Sequence, residues 1–392
     1  MEIAILGAGV AGVATAIALK QRGHAVRVYE RRLSQSNLGA GVVLWPNASF
    51  VLAELGLLPD IAAVGGRLLT MKRFSDSGEH IGQLNITELD RRMGFPSYSI
   101  LRRDLQRILL ARACEFDIPI YHGKRALDIK SENSSYATVY FDDGDSAQAE
   151  LVIGADGRMN SCARRYVLGN NIPVFQGVVS WVGTMEARSD LMKEIAALDY
   201  WGVGKRFGIV AVNQSTLYWA GSIAASAPST ARNANPKTDI TAHFFNWPAI
   251  IRYVIEQSEH HRICKVDLYD HDAVEIWHRE RVLMIGDAAH ASLPTSGQGA
   301  SQALEDAWHL AQCLVSDDID LDASLVTFTE RRKTKTHLMT KIARDFSSSL
   351  FNPDIEACRI RNEQARASNL EHSVASMAEG WGATLPLGQH AG

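Results

Sequence analysis

The segment Ile3-Ala4-Ile5-Leu6-Gly7-Ala8-Gly9-Val10-Ala11-Gly12 decides the fold of this chain. Its apolar strand runs into a G-x-G-x-x-G turn. The sequence then predicts a helix from Val13 to Arg22 and a second strand from Ala25 to Tyr29, which is followed by Glu30. Glycines between a strand and a helix, with an acid at the end of the next strand, form the dinucleotide-binding fingerprint.

Each part of this segment has a predicted role toward a dinucleotide. Gly7 allows the tight turn, Gly9 lets the backbone approach a pyrophosphate, and Gly12 lets the helix pack closely on the strand. The helix N-terminus offers unpaired N–H groups and a positive dipole to phosphates. Glu30 is placed to accept hydrogen bonds from a ribose. The alternative is an ordinary strand–helix–strand unit with chance glycines.

Length and composition are those of a soluble globular protein with one large domain or two smaller ones. The chain has 392 residues, a hydrophobic fraction of 46% and a net charge of −4, so no global field attracts nucleic acid or anionic membrane. We expect neither a signal peptide nor a transmembrane helix. The five cysteines are far apart and include no C-x-x-C pair, which favours reduced thiols in a cytoplasmic protein and no metal site.

Further glycine-rich segments follow the first one along the chain. Gly39 to Asn47 forms a turn and a short apolar run, whose backbone could approach a flat ring such as a flavin, or could be a plain surface turn. A buried strand from Leu151 ends in Gly154-Ala155-Asp156-Gly157, and another from Arg281 ends in Gly286-Asp287. Gly297-Gln298-Gly299-Ala300 then opens a helix. Since ligands bind at the carboxyl ends of parallel strands, these segments should share one crevice.

The pattern changes between Val174 and about Asp270. Aromatic-rich segments there predict antiparallel strands, and a predicted helix is interrupted near Trp247-Pro248. The predicted organisation is a nucleotide-binding domain at 1–173 with substrate-side strands near 65–100, a substrate-binding β-sheet lobe at 174–272, a completing part of the nucleotide-binding domain at 273–345 and a C-terminal helical segment and tail at 346–392.

Four features stand in order: the first glycine turn with Glu30, Arg102 at a helix start, the Asp156-Gly157 segment, and Gly286-Asp287 followed by Pro294 and the second glycine turn. In this combination, residues 1 to about 345 resemble the single-component (group A) FAD-dependent aromatic hydroxylases, the para-hydroxybenzoate hydroxylase-like family. The resemblance implies an α/β fold, with a Rossmann-like FAD-binding domain, an inserted mixed β-sheet substrate domain and C-terminal helices.

The resemblance also implies which residues contact a tightly but non-covalently bound FAD. In that family the first motif binds the ADP half, the Asp-Gly segment serves FAD and the passing nicotinamide cofactor, and the Gly-Asp segment holds the ribityl chain. The residues carried over are Gly7, Gly9, Ala11, Gly12, Glu30, Arg31, Gly41, Val42, Arg102, Ala126, Asp156, Asp287, Gly297, Gln298, Gly299 and Ala300.

Finer likenesses concern the substrate. Trp45-Pro46-Asn47, Gly204-Lys205-Arg206 and Tyr218 resemble the bacterial FAD-dependent urate hydroxylases, in which the matching Arg and Tyr orient the substrate. Arg206 and Tyr218 are therefore the candidate catalytic residues. Urate hydroxylases have an acid where this chain has Pro294-Thr295-Ser296, so that carboxylate is missing here. The segment from Trp201 to Arg206 also resembles the alkylquinolone hydroxylases.

The function implied is hydroxylation of a small aromatic or heteroaromatic ring. NADH or NADPH reduces FAD, the reduced flavin traps O₂ as a hydroperoxide, and the ring attacks the distal oxygen. Ser161 and Arg164 lie one residue later after Asp156 than the family spacing, which indicates an insertion. No Asp or Glu stands out as a substrate base.

Three alternatives stay in view. A tetracycline-type natural-product hydroxylase could share the scaffold, and a flavoprotein could lack hydroxylase turnover. A halogenase is disfavoured, because the chain has no Trp-x-Trp-x-Ile-Pro signature. We expect a monomer or a homodimer.

Overall fold

The computed structural model describes residues 1–34, 40–131, 135–186, 191–192, 194–229, 235–315 and 320–387. Gly39 and the last five residues of the predicted tail therefore lie outside the described residues. The strands are β1 (Glu2–Leu6), β2 (Ala25–Glu30), β3 (Gly41–Leu44), β4 (Gly66–Arg67), β5 (Thr70–Ser75), β6 (His80–Asn85), β7 (Tyr98–Leu101), β8 (Ile120–His122), β9 (Ala126–Lys130), β10 (Ala137–Phe141), β11 (Ser146–Ala149), β12 (Leu151–Gly154), β13 (Val174–Glu186), β14 (Ala196–Trp201), β15 (Lys205–Ala211), β16 (Thr216–Ala224), β17 (Ile263–Asp270), β18 (His278–Arg279) and β19 (Val282–Met284).

Helices flank and connect these strands. They are α1 (Val10–Gln21), α2 (Pro46–Glu54), α3 (Leu58–Val64), α4 (Ile86–Met93), α5 (Arg102–Glu115), α6 (Cys162–Leu168), α7 (Pro236–Phe244), α8 (Ala249–Gln257), α9 (Asp287–His290), α10 (Gly299–Cys313), α11 (Leu321–Leu350), α12 (Ile355–Ala367) and α13 (Leu370–Gly382). Even α11, at 30 residues, is amphipathic, and none of the described helices is long and apolar enough to cross a bilayer.

The first sheet is Rossmann-like and has the strand order β18-β19-β12-β1-β2-β8. β1 lies at its centre and pairs in parallel with β2 and β12, whereas β18 is antiparallel and closes one edge. From Ile3 to Leu6 the central strand is buried on both faces, as expected for a strand that helices cover on both sides. α1 begins three residues earlier than the sequence predicted, because it follows directly on Gly9, its N-cap.

The second sheet has the order β17-β13-β16-β15-β14-β5-β6 and is antiparallel except between β14 and β5. β13, β15 and β16 correspond to the strands that the sequence predicted between Val174 and Asp270. β14 was not predicted, although it lies inside the sheet between β15 and β5. β5 and β6 come from residues 70–85, so the chain enters this sheet before the nucleotide-binding part is complete.

The two faces of the second sheet are packed differently. The outer face carries buried aromatic and aliphatic side chains, among them Phe207 and Trp219 stacked at 5.5 Å, and α7 and α8 cover it. The opposite face, here called the inner face, is turned toward β3 and α11, where Val210 packs near Val43 and Trp201 meets Phe346. The outer face is therefore a conventional core, and the inner face adjoins the nucleotide-binding part.

A buried network of charges joins α10 to α11. The Arg332 guanidinium is fully buried and donates through Nε to Asp306 at 2.8 Å and through Nη1 to Glu305 at 2.5 Å. Lys335 donates to Glu305 at 2.9 Å, and His290 lies 2.6 Å from Asp306. Although burial alone would raise the pKa of Asp306, the charges of His290 and Arg332 hold that pKa at about 2.

The same carboxylates reach the surrounding loops. Asp306 accepts from the Gly286 backbone N–H at 2.8 Å, and Glu305 accepts from the Asn47 side-chain amide at 2.7 Å. Lys335 also donates to the backbone oxygens of Trp381 and Ala383 at the end of α13. The network therefore fixes α2, the turn before α9, α10 and the C-terminal helix relative to one another.

We predict that Arg332→Met lowers the free energy of unfolding by about 3–5 kcal/mol, because it leaves two buried carboxylates without their shared partner. Urea unfolding followed by circular dichroism measures the change. Arg331→Met is the matched control, since Arg331 is the exposed neighbour in the same helix turn. Equal stability of the two variants would contradict a stabilising role of the network.

Candidate functional site

The first glycine turn is shaped by close contacts between backbones. Gly7 has a φ of +105°, and a Cβ there would lie 2.4 Å from the Ala155 oxygen. A Cβ on Gly12 would lie 1.9 Å from the Gly7 oxygen. A Cβ on Gly9 would meet no protein atom within 4 Å. Gly7 and Gly12 are thus required by the fold itself, whereas Gly9 faces open space at the N-terminus of α1.

Glu30 is held at the edge of this turn by backbone donors. Its Oε2 accepts from Ala8 N at 2.9 Å, and its Oε1 accepts from Arg32 N at 2.9 Å. The neighbouring Arg31 is exposed, and the half-buried Ala126 begins β9 two residues after Lys124, whose N–H bonds the Glu30 carbonyl. Three of the predicted contact residues therefore lie around one corner of the sheet: Glu30, Arg31 and Ala126.

The N-terminus of α5 closes the other side of the turn. Arg102 is the first residue of the helix, and its backbone N–H bonds the Ala40 carbonyl at 2.9 Å. One helical turn later, Gln106 donates to the Ala8 carbonyl at 2.5 Å. Residues four apart share a helix face, so Arg102 is directed toward the same turn. Gln106 was not predicted as part of the site, although its i+4 spacing from Arg102 could have indicated it.

The second set of glycines meets the first. Gly286 has a φ of +55°, and a Cβ there would lie 2.8 Å from Ala11 Cβ. Asp287, which begins α9, pairs with Arg158 at 3.0 Å. Gly297 accepts from the Trp45 indole at 3.0 Å through its carbonyl oxygen. These contacts bring Gly297 to Ala300 and the start of α1 to the same end of the Rossmann-like sheet.

The Asp156 side chain is hydrogen-bonded within the protein. One carboxylate oxygen accepts from the Ser161 hydroxyl at 2.5 Å and the other from the Cys162 N–H at 2.6 Å, so the side chain holds the start of α6. Burial raises the pKa of Asp156, and these donors oppose the rise. Arg164 donates to the Ala288 carbonyl at 2.9 Å. Ser161 and Arg164, which lie one residue later than the family spacing, therefore anchor α6 and α9. The Asp156 backbone borders the Gly7 turn, and its role toward FAD stays a prediction.

Both candidate catalytic residues lie on the inner face, but not beside each other. Arg206 pairs with Ser222, which is four residues from Tyr218 along β16. Arg206 and Tyr218 belong to neighbouring strands, β15 and β16. Arg206 forms a two-pronged ion pair with Asp199, through Nε at 2.7 Å and Nη2 at 3.0 Å. The Tyr218 ring lies against Gly41 of β3, where a Cβ would approach the ring to 1.8 Å. The inner face and β3 are thus in direct contact at Gly41.

Burial along β15 and β16 shows that space remains on the inner face. Most of the outward-pointing residues are buried. Of the inward-pointing ones, Ser222 is buried, whereas several are only half-buried, among them Arg206, Gly208, Val210, Tyr218 and Ala220. A Cβ on Gly208 would meet nothing closer than a backbone oxygen at 4.0 Å. Space therefore remains over Gly208 and Ala220, between Arg206 and Tyr218, and is here called the chamber.

The residues fit an FAD. Two helix N-termini, those of α1 and α10, lie near each other, and both favour negative charge. Gly9 and Gly299 at these ends face open space, so backbone N–H groups are accessible to phosphates or a flavin ring. Glu30 supplies an acceptor for a ribose, and the chamber meets β3 where Tyr218 contacts Gly41. The glycine turns and Glu30 are here called the FAD cradle.

Comparison with known proteins agrees with this geometry. Residues 1–334 match the family described as an FAD binding domain. The chain belongs to this family. It is an FAD-dependent monooxygenase of the group A flavin hydroxylases, and the predicted fold class and FAD cofactor are confirmed.

Relatives of this flavoprotein span nearly its whole length. A 3-amino-4-hydroxybenzoate 2-monooxygenase from Streptomyces cremeus is 31% identical over 94% of the chain and 92% of the relative. An FAD-dependent urate hydroxylase from Mycolicibacterium vanbaalenii is 30% identical over 85% of the chain and 84% of the relative. The structure of Klebsiella pneumoniae HpxO complexed with FAD and uric acid superimposes with a TM-score of 0.90, at 27% identity and over 97% and 96% of the two chains. The prediction of an aromatic hydroxylase is confirmed at this level.

We predict that Gly9→Ala and Gly12→Ala impair different properties of this flavoprotein, FAD binding in the first case and stability in the second. Gly9→Ala should leave the melting temperature of the apoprotein unchanged and weaken FAD binding about tenfold or more, because its methyl group meets only the ligand. Gly12→Ala should destabilise the apoprotein, because its methyl group collides with the Gly7 carbonyl.

Thermal unfolding of the apoprotein and FAD titration by flavin fluorescence separate the two effects. Gly380→Ala, at an open position in α13, is the control. Tight FAD binding by the Gly9 variant would contradict the assignment of this turn.

Proposed function

We propose that this flavoprotein hydroxylates a small planar aromatic or heteroaromatic ring that binds as an anion, with NADH or NADPH as the reductant and O₂ as the oxygen source. The observation that carries the proposal is the space over Gly208 between Arg206 and Tyr218, which meets the strand β3 at Gly41. The five cysteines are all unpaired, which fits a reducing cytoplasm.

Bound FAD would supply the redox chemistry, taking electrons from the nicotinamide and activating O₂. The residues proposed to hold FAD are Gly7, Gly9, Gly12, Glu30, Arg102 and the turn from Gly297 to Ala300. The protein's own task is then to orient the ring and to keep water out of the chamber.

Tyr218 is suited to donate a hydrogen bond to the substrate. Burial raises the pKa of the Tyr218 phenol, and the opposing charge of Arg206 does not offset the rise. The phenol therefore stays protonated at neutral pH. Its hydroxyl has no hydrogen-bond partner among the described residues, so the donor is available in the chamber.

Arg206 is suited to stabilise negative charge on the ring. Its Nε and Nη2 are committed to Asp199, which fixes the guanidinium plane, while Nη1 makes no hydrogen bond to any described residue. The carboxylate beside it is thereby engaged and is a poor candidate for a base. At the position of the missing acid, Thr295 donates to the Ala343 carbonyl at 2.7 Å. Because no carboxylate among the described residues of the chamber is free to act as a base, a substrate that enters already ionised is favoured.

The assay mixes the FAD-loaded protein with NADH or NADPH, with and without urate, aminohydroxybenzoates, alkylquinolones and tetracycline. We expect one class of ligand to accelerate flavin reduction and to yield a product heavier by one oxygen atom. If no ligand accelerates reduction, the alternative of a flavoprotein without turnover is favoured instead.

We predict that Arg206→Gln lowers kcat/KM for that substrate about 100-fold, whereas Tyr218→Phe costs about 10-fold, the loss expected for a single hydrogen bond. Both variants should retain FAD. Lys205→Gln is the matched control, because Lys205 is the adjacent cation and bonds the His243 carbonyl on the outer face. Unchanged turnover by the Arg206 variant would remove its proposed role.

A further inference from the structure

Three guanidinium groups surround Asp199 and Trp201 at one end of the chamber. Arg73 and Arg361 lie over the Trp201 ring, with their Cζ atoms 5.1 Å and 5.5 Å from its centroid. Arg206 is bound to Asp199, which also accepts from the Trp201 indole at 2.8 Å. Asp199 is buried, so three cations converge on one enclosed carboxylate.

Two of the three cations have fixed partners. Arg206 has its ion pair with Asp199. Arg361 donates to the Gly202 carbonyl at 3.3 Å and to the Ser349 carbonyl at 3.0 Å, so it joins α12 to the end of β14 and α11. These bonds give both side chains a role within the fold.

Arg73 has no such partner. Its guanidinium makes no hydrogen bond to any described residue, and its Nε is enclosed without an acceptor. Burial lowers the pKa of Arg73; Asp199 opposes this effect, and Arg206 adds to it. A cation that is partly desolvated and lies beside another cation is costly unless an anion compensates it.

The sheet register directs Arg73 toward the chamber. β5 pairs with β14 so that Arg73 lies beside Asp199, and β14 pairs with β15 so that Asp199 lies beside Gly208. Side chains at paired positions of neighbouring strands share a face. Arg73 therefore lies on the inner face, two strands from Gly208, or about 10 Å at the usual strand spacing.

We propose that Arg73 binds a carboxylate of the substrate, and hence that the substrate of this flavoprotein is an aromatic acid. The inference rests on the proposed function, since it names the substrate class for the same chamber. The ring would lie over Gly208 and Ala220, the smallest side chains on this face, with its carboxylate at Arg73 and its reacting edge toward Tyr218.

A carboxylate suits this position better than a lone ring anion. A guanidinium presents a planar pair of donors that matches the two oxygens of a carboxylate. Arg73 lies on β5 and Arg206 on β15, the two strands that flank β14. The unused donors of Arg73 and the free Nη1 of Arg206 are therefore available to one flat group. A substrate without the carboxylate would leave Arg73 uncompensated.

The experiment measures ligand binding by the change in the flavin absorbance spectrum of the FAD-loaded protein. The probes are benzoate, 4-hydroxybenzoate and 3-amino-4-hydroxybenzoate, each paired with its amide. The variants are Arg73→Met and Arg73→Lys. Lys72→Met is the matched control, because Lys72 is the adjacent cation on the opposite face and pairs with Glu194.

We expect the wild-type protein to bind at least one acid more tightly than its amide. Arg73→Met should weaken binding of that acid about tenfold or more and leave binding of the amide unchanged, and Arg73→Lys should lie between. Arg73→Met should not lower the melting temperature of the ligand-free protein, because it removes an uncompensated cation and keeps the packing on Trp201. The control should match the wild type in acid binding.

The inference is wrong if no acid binds better than its amide, or if Arg73→Met leaves the preference intact. It is also wrong if Arg73→Met lowers the melting temperature and weakens acid and amide equally, since Arg73 would then be a packing residue. Binding is measured without turnover. A selective loss of acid binding therefore supports the inference even where no ligand accelerates flavin reduction, and that second result counts against the proposed function alone.

Discussion

One buried guanidinium, that of Arg332, determines how the parts of this protein meet. It neutralises two adjacent carboxylates, Glu305 and Asp306, inside a core that could not otherwise hold them. With their remaining oxygens these carboxylates bind the Asn47 amide and the Gly286 backbone. One network therefore holds three elements: α10, the Gly286 turn that meets α1, and the start of α2 after β3. Each of them borders the FAD cradle.

The nucleotide-binding half could be predicted from the sequence because its tightest backbone contacts admit only one residue type. Gly7 and Gly12 are required by contacts within a dozen residues of chain or with the adjacent strand, and Gly286 is required by its approach to Ala11. Such positions admit only glycine, so the sequence records them directly. The strands around them are buried on both faces and appear as continuous apolar runs.

The rest of the site depends on contacts between distant segments, which no local pattern records. β14 lies between β5, which comes much earlier in the chain, and β15, which follows it. Its Asp199 becomes the partner of Arg206 only through strand pairing. Gln106 reaches Ala8 across 98 residues. The helices α12 and α13 were expected only as a helical segment with a tail, since their contacts with β6 and Trp45 come from elsewhere in the chain.

The inner face shows how one scaffold can change substrate without changing its redox chemistry. The cradle is fixed by backbone contacts and the Arg332 network, neither of which touches the chamber. The chamber is instead lined by alternate residues of β5, β14, β15 and β16, whose other face forms the core beneath α7 and α8. A side chain on the inner face, such as Arg73, can therefore be replaced without disturbing that core or the cradle. Substrate preference then depends on which inner-face charges are already paired within the protein and which are left for a ligand.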